Sequence, residues 1–213
     1  MATQNLDLEE QEQLATLKGW WHDNGNFVLG LIAAVSLGVA AWQGWNWYQR
    51  SHAFQASALY ESLAKSVRAG DAKAVRDAAG ALTESFPRTL YASMGALVNA
   101  RFLADHGEAK NAKAQLEWVI ERATSADFRD LARLRLAAML LDEKAYDAAL
   151  KQLEAKPVDA YAAQFDAARG DVLLAKGQPS EAKTAYREAL NRAGTGNDAL
   201  RASLQLRLDA LGG

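Results

Sequence analysis

Residues 170 to 189, GDVLLAKGQPSEAKTAYREA, hold two apolar-periodic segments on either side of a break at Gly177-Gln178. Gly170, Leu173, Ala182, Tyr186 and Ala189 follow the order small, apolar, small, aromatic, small. Spacings of three and four within each segment put its members on one helix face. Outward from this stretch the break recurs: Gly70-Asp71, Gly107-Glu108 and Lys144-Ala145 also follow an apolar helical pattern, and the successive steps are 37, 37 and 33 residues. Five residues after the first member of each pair stands a small or apolar residue, Val75, Ala112, Ala149 or Ala182. A regular period of this length marks a repeated supersecondary unit. From Ala53 onward the chain is rich in Ala, Leu, Glu, Lys and Arg with almost no β-branched runs, so the unit reads as helical.

Four helical hairpins in phase resemble the tetratricopeptide repeat, in which a small residue of the second helix lets it lie close against the first. The third unit offers Ala137, Leu140, Ala149 and Leu153, and the second Ala100, Leu103, Ala112, Leu116 and Val119. The first is degenerate and supplies Ala79, Leu82 and Pro87. After the break NRAGTG, residues 191 to 196, Leu200, Leu204, Leu206 and Leu208 lie among polar residues as a capping helix would require, since a solenoid otherwise leaves its last apolar face bare. In arrays of this type the first helices of successive units line a concave groove. The resemblance then implies groove positions at Met94, Leu97 and Arg101, at Leu131, Leu134, Ala138 and Leu141, and at Gln164, Ala167, Asp171 and Leu174. Most are apolar, which suits an apolar segment, a partner helix or a client not yet folded. The same leucines serve equally well as core.

Ahead of the repeats the charge is unevenly spread. Residues 1–26 carry Asp7, Glu9, Glu10, Glu12 and Asp23 against Lys18 alone, a net charge of −4; residues 27–49 carry none; the remainder is net +2. The uncharged run from Phe27 to Trp47, FVLGLIAAVSLGVAAWQGWNW, is 21 residues long, and about 20 helical residues cross the hydrocarbon of a bilayer. Trp20 and Trp21 on one side and Trp42, Trp45, Trp47 and Tyr48 on the other suit the headgroup layers and make membrane lipid a partner. An acidic leader and a long apolar run do not fit a cleaved signal peptide. Gly30, Ala34 and Gly38 form a small-xxx-small face on which another helix could pack closely. The expected architecture is all-α: an acidic tail (1–26), one N-terminal transmembrane helix (27–48), and a tetratricopeptide-like right-handed helical-hairpin solenoid with a C-terminal capping helix (49–213). Lys18 alone against Arg50, Lys65 and Arg68 favours, read literally, a cytoplasmic C-terminal domain. Large domains, however, translocate largely regardless of charge.

Catalysis has no support in the residues. Cysteine is absent, which removes thiolate metal sites and cysteine nucleophiles. The three histidines, His22, His52 and His106, have no second ligand at metal spacing, and no H-E-x-x-H, G-x-S-x-G, GxxxxGK[ST] or GxGxxG is present. No catalytic residue, metal or other cofactor is expected, and no small-molecule substrate. A net charge of +2 over the last 164 residues lacks the basic stripe that nucleic acid demands. Protein binding is what remains.

Three local marks, Asp23-Asn24-Gly25 before the span, LRLA from Leu134 to Ala137, and RGDVLLAKG from Arg169 to Gly177, complete a whole-chain resemblance to the bacterial YfgM-like family. Members are described as ancillary subunits of the Sec translocon. The resemblance implies a single-pass inner-membrane protein with a cytoplasmic N-terminus and a periplasmic helical domain, opposite to the literal charge count. It also implies two partners, the Sec translocon and a membrane-anchored periplasmic chaperone of the prolyl-isomerase type, and a role in passing newly translocated proteins to periplasmic chaperones. The alternative on the same architecture is a membrane-anchored scaffold for assembling another envelope complex, such as that of cytochrome maturation.

Overall fold

A computed structural model describes residues 8–194 and 196–212, with side chains from residue 11, and every regular element among them is an α-helix. Asp7 and the side chains of Glu9 and Glu10 in the acidic tail, and Thr195 in the last break, lie outside the described residues. The elements are α1 (Leu8–Ala69), α2 (Ala72–Ser85), α3 (Leu90–Asp105), α4 (Ala109–Arg122), α5 (Ala126–Asp142), α6 (Tyr146–Gln152), α7 (Asp159–Ala175), α8 (Pro179–Arg192) and α9 (Asp198–Ala210). Two compact units, Met1–Ser51 and His52–Gly213, divide within α1. Helix α1 starts in the acidic segment and continues through the uncharged run into the first repeat. It contains no proline, and its isolated glycines each cost only about 1 kcal/mol of helix propensity.

In the first unit the uncharged run is apolar on all sides and exposed on all sides. Phe27, Val35, Leu37 and Trp47 are each more than half exposed, whereas a soluble core helix would bury such residues. The segment is long and apolar enough to cross a membrane. Asn24 donates from Nδ2 to the Trp20 carbonyl at 3.0 Å, and the Trp21 ring lies against Gly25.

The second unit is built on one turn used four times. Gly70, Gly107, Lys144 and Gly177 have φ of 69°, 79°, 60° and 84°. Each donates its amide to the carbonyl three residues back, and the next residue's amide reaches five back: Asp71 to Ser66, Glu108 to Leu103, Ala145 to Leu140 and Gln178 to Leu173, at 2.8 to 3.1 Å. This left-handed closure satisfies the carbonyls that end the first helix and starts the second helix at a repeated angle. Asp71 then caps α2 by accepting from the amides of Lys73 and Ala74. Five residues past each left-handed position, Val75, Ala112, Ala149 and Ala182 have no exposed surface. They are the close-approach points of the hairpins.

Gly170 makes an even closer approach. A Cβ placed there would stand 2.4 Å from the Tyr186 ring, so α7 and α8 meet with the tyrosine filling the room a side chain would take. The last hairpin is closed by α9, which buries Leu204 and Leu208 with Ala182, Tyr186 and Ala189 and packs Leu200 beside them. Leu206, expected on the same face, is 71% exposed; two residues from Leu204 is about 200° around the helix, on the outer side.

Successive hairpins are stitched by a side chain reaching back to the carbonyl that ends the previous second helix. Arg129 of α5 donates to Ala123 O at 2.8 Å, Arg169 of α7 to Leu153 O at 3.0 Å, and Arg201 of α9 to Ala193 O at 2.9 Å. Between α2 and α3 the Thr89 hydroxyl plays the part, donating to Phe86 O at 2.8 Å. Those four carbonyls belong to the C-cap residues of α4, α6, α8 and α2. At the turns, Arg76 pairs with Glu108, Lys113 with Glu143 and Lys176 with Asp147, each pair joining adjacent hairpins. Asp130 of α5, only 3% exposed, accepts from the Val158 amide at 2.8 Å and so holds the start of α7.

Two substitutions test this geometry. Lys144 is the one non-glycine among the four left-handed positions, and Lys144→Gly is expected to stabilise the domain by up to about 1 kcal/mol, since the strain relieved exceeds the added chain entropy. Gly170→Ala drives a methyl into the Tyr186 ring and is expected to cost about 1–3 kcal/mol. Urea midpoints of both variants against the parent decide each.

A candidate protein-binding groove

The first helices of the hairpins are the last turns of α1, then α3, α5 and α7, and the groove positions expected from the repeat phase are spread over them unevenly. Met94, Leu97 and Arg101 of α3 line a cavity of about 320 Å³ shared with Tyr60 and Val67 of α1, Val98, Phe102 and Asp105 of α3, and Arg135 of α5. A neighbouring hollow of about 240 Å³ lies toward α5, lined by Ala100, Arg101, Ala104, Leu116, Arg135, Ala138 and Met139. Arg101 and Arg135 line both. Leu131, Leu134 and Leu141 are half-buried and pack against core clusters beneath α5. Gln164 lines a separate concavity with Asp159, Ala163 and Arg192. Ala167 is buried and Leu174 is 40% exposed.

Asp171 has a structural engagement. It accepts from the Tyr186 hydroxyl at 2.8 Å and from Arg207 of α9, whose guanidinium also lies 5.7 Å from the Tyr186 ring centre. Burial, followed by the bond to Asp171, pushes the Tyr186 phenol above its ordinary value, so the hydroxyl stays a donor. The cluster ties α9 to the last hairpin. His106 is likewise engaged, its Nδ1 hydrogen-bonded to Phe102 O at 2.7 Å and its ring stacked on Phe102.

Arg135 is the residue that phase reasoning missed, along with Tyr60 and Val67. Its guanidinium is half-buried and reaches one protein acceptor, Leu97 O, at 3.4 Å. It has no acidic partner among the described residues. Burial lowers its pKa, and the like charge of Arg101 adds to the effect. Arg101 itself is paired loosely with Asp105, one turn away, at 3.4 Å on an exposed surface, where such a pair contributes about 0.3–0.5 kcal/mol. The clue in the sequence was available: LRLA places an arginine within an otherwise apolar helix face. Tyr60 and Val67 were hidden because the first unit's leading helix is the end of α1.

On the apolar segment of α1, Gly30 and Gly38 have open space where a Cβ would go, and Ala34 is exposed. Trp20, Trp21, Trp42, Trp45 and Trp47 are between 49% and 73% exposed.

An all-helical unit of stacked hairpins, with hollows along its first helices, defines a helical-repeat domain. The chain matches the tetratricopeptide repeat-like domain family over residues 18–213. Over 210 residues it is 31% identical to an ancillary SecYEG translocon subunit of Neisseria gonorrhoeae, covering 96% of this chain and 98% of that protein. A protein of the same description from Aggregatibacter actinomycetemcomitans is 26% identical over 96% of this chain and 98% of its own length. The corresponding subunit of Escherichia coli is 29% identical over 83% and 85%. The chain belongs to this tetratricopeptide repeat-like family, together with the translocon subunits with which the sequence resemblance grouped it.

Close to the groove line on α7, Asp166 is 3% exposed and pairs with Arg192 at 3.3 Å and Arg169 at 3.7 Å. Its Oδ2 accepts no hydrogen bond within the protein. Burial raises its pKa; Arg192 and Arg169 pull the other way, and Glu188 adds to the rise. A carboxyl raised in the folded state contributes stability below its ordinary value and loses it as pH climbs through the raised one. Asp166→Asn cannot titrate, so its urea midpoint relative to the parent should improve between about pH 3 and pH 7. A constant difference across that window would show that Asp166 titrates normally.

Proposed function

We propose that this chain is a single-pass membrane subunit of the Sec translocon that passes newly translocated proteins to periplasmic chaperones. The N-terminal segment lies in the cytoplasm, residues 27–48 span the inner membrane, and the repeat domain lies in the periplasm. The observation that carries this reading is the near full-length match to ancillary SecYEG translocon subunits. The exposed, all-round apolar segment supports the anchor, and the open small-residue face at Gly30, Ala34 and Gly38 supports a helix neighbour in the bilayer.

The mechanism is tethering. Anchoring confines the repeat domain to the membrane surface and raises its effective concentration near an exit site, so weak contacts by the groove suffice. A membrane-anchored prolyl-isomerase-type chaperone held at the same surface receives the client without a diffusive search. No bond is made or broken by this chain.

A photo-crosslinking residue at Met94, in native membranes during active secretion, should capture translocon subunits, the chaperone and nascent clients. Capture of another envelope assembly alone, such as the cytochrome maturation machinery, would replace this reading with the scaffold. Alkaline phosphatase joined after Gly213 should be active; activity only when it is joined before Phe27 would reverse the topology.

A further inference from the structure

The groove contains a charge that its own chain does not neutralise. Between two apolar hollows, one toward α1 and one toward α5, stand the guanidinium groups of Arg101 and Arg135. Arg135 is half-buried with a single long contact to a backbone carbonyl, and Arg101 has only the loose, exposed pair with Asp105. Two cations lining the same apolar hollows repel each other and attract an anion with geometry suited to guanidinium, and the anion of that kind that unmodified polypeptide side chains carry is a carboxylate. The apolar space continues on both sides of the pair, with Tyr60, Met94 and Val98 on one side and Ala104, Ala138 and Met139 on the other. A chain terminus ends at its carboxylate and would fill one hollow at most. A carboxylate within a continuing segment fills both.

We propose that the groove binds an extended segment of a partner or client polypeptide in which an internal Asp or Glu sits between two large apolar side chains, the carboxylate bridging Arg101 and Arg135. Side chains of an extended segment alternate between its two faces, so an apolar, an acidic and an apolar side chain that all enter the groove fall at every second residue. This inference rests on the reading of the repeat domain as a protein-binding module, and adds the chemistry of what it selects. Asp105 acts as a weak internal competitor for Arg101.

The test uses the full chain in detergent micelles and fluorescein-labelled nine-residue peptides with amidated C-termini. One carries Leu-Ser-Asp-Ser-Phe at its centre and another Leu-Ser-Asn-Ser-Phe; a third ends in Leu-Ser-Asn-Ser-Phe with a free carboxylate. The Asp peptide should bind roughly tenfold more tightly than the Asn peptide, a ratio in line with a charge-assisted hydrogen bond. Arg135→Gln should bring the two to the same affinity. Asp105→Asn, an exposed and conservative change, should strengthen the Asp peptide alone by releasing Arg101. Equal binding of the Asp and Asn peptides to the parent overturns the proposal whatever the variants do, and so does preference for the free-carboxylate peptide. Translocon crosslinks that persist while the Asp and Asn peptides bind alike would remove this selectivity and leave the proposed function standing. Acid-selective binding without translocon crosslinks would do the reverse.

Discussion

Each hairpin of the repeat domain depends on the same constraint: a residue in the left-handed backbone region must follow the first helix, and a buried residue, alanine in three hairpins and valine in the first, must come five positions later. The first requirement sets where the chain turns, because only that conformation lets the next two amides close onto the ends of the helix. The second sets how near the returning helix can come. Val75, Ala112, Ala149 and Ala182 are all fully buried at that point. Stacking and core follow from the pair of conditions, since four hairpins closed by the same turn stack side by side with their first helices adjacent. The turn tolerates one deviation, Lys144, at a local cost in strain.

The connections between hairpins use a different device. A helix ending against its neighbour leaves carbonyls that water reaches poorly, and one such carbonyl at each junction is taken by Arg129, Arg169, Arg201 or Thr89 from the next unit. Because the donor always comes from the following unit, each second helix is completed only when its successor is in place. This makes the coupling between neighbours directional along the chain. Asp130 adds a link of the same kind by capping the start of α7 from α5.

The period, the turns and the close-approach residues were legible in the sequence because each rests on a residue type with a narrow physical role, glycine at positive φ and alanine at a tight contact. The long, exposed apolar helix was legible from its length and lack of charge. Other features were not. Arg129, Arg169 and Arg201 look like ordinary solvated cations, and nothing in their spacing reveals that they seek a carbonyl 6, 16 or 8 residues earlier. Among the groove positions, Asp171 lay in phase yet is drawn into a bond with Tyr186 and Arg207, a partner 36 residues away. Arg135, four residues after Leu131 and three before Ala138, shares their helix face and lines both hollows, although the repeat phase did not name it. Phase arithmetic says which way a residue faces on an ideal repeat, but long flexible side chains reach beyond their own face.

Helix α9 gives the array an end. The surface it covers, formed around Ala182, Tyr186 and Ala189, is the kind of apolar face that each earlier hairpin offers to its successor. Uncovered, it would accept any amphipathic helix of suitable pitch, including the corresponding helix of another copy. Head-to-tail contacts of that sort do not close on themselves and lead to open filaments. The lock of Arg207 and Tyr186 on Asp171 keeps that face occupied by the chain's own last helix. Against such growth the last helix acts as a chain terminator in the polymer chemist's sense.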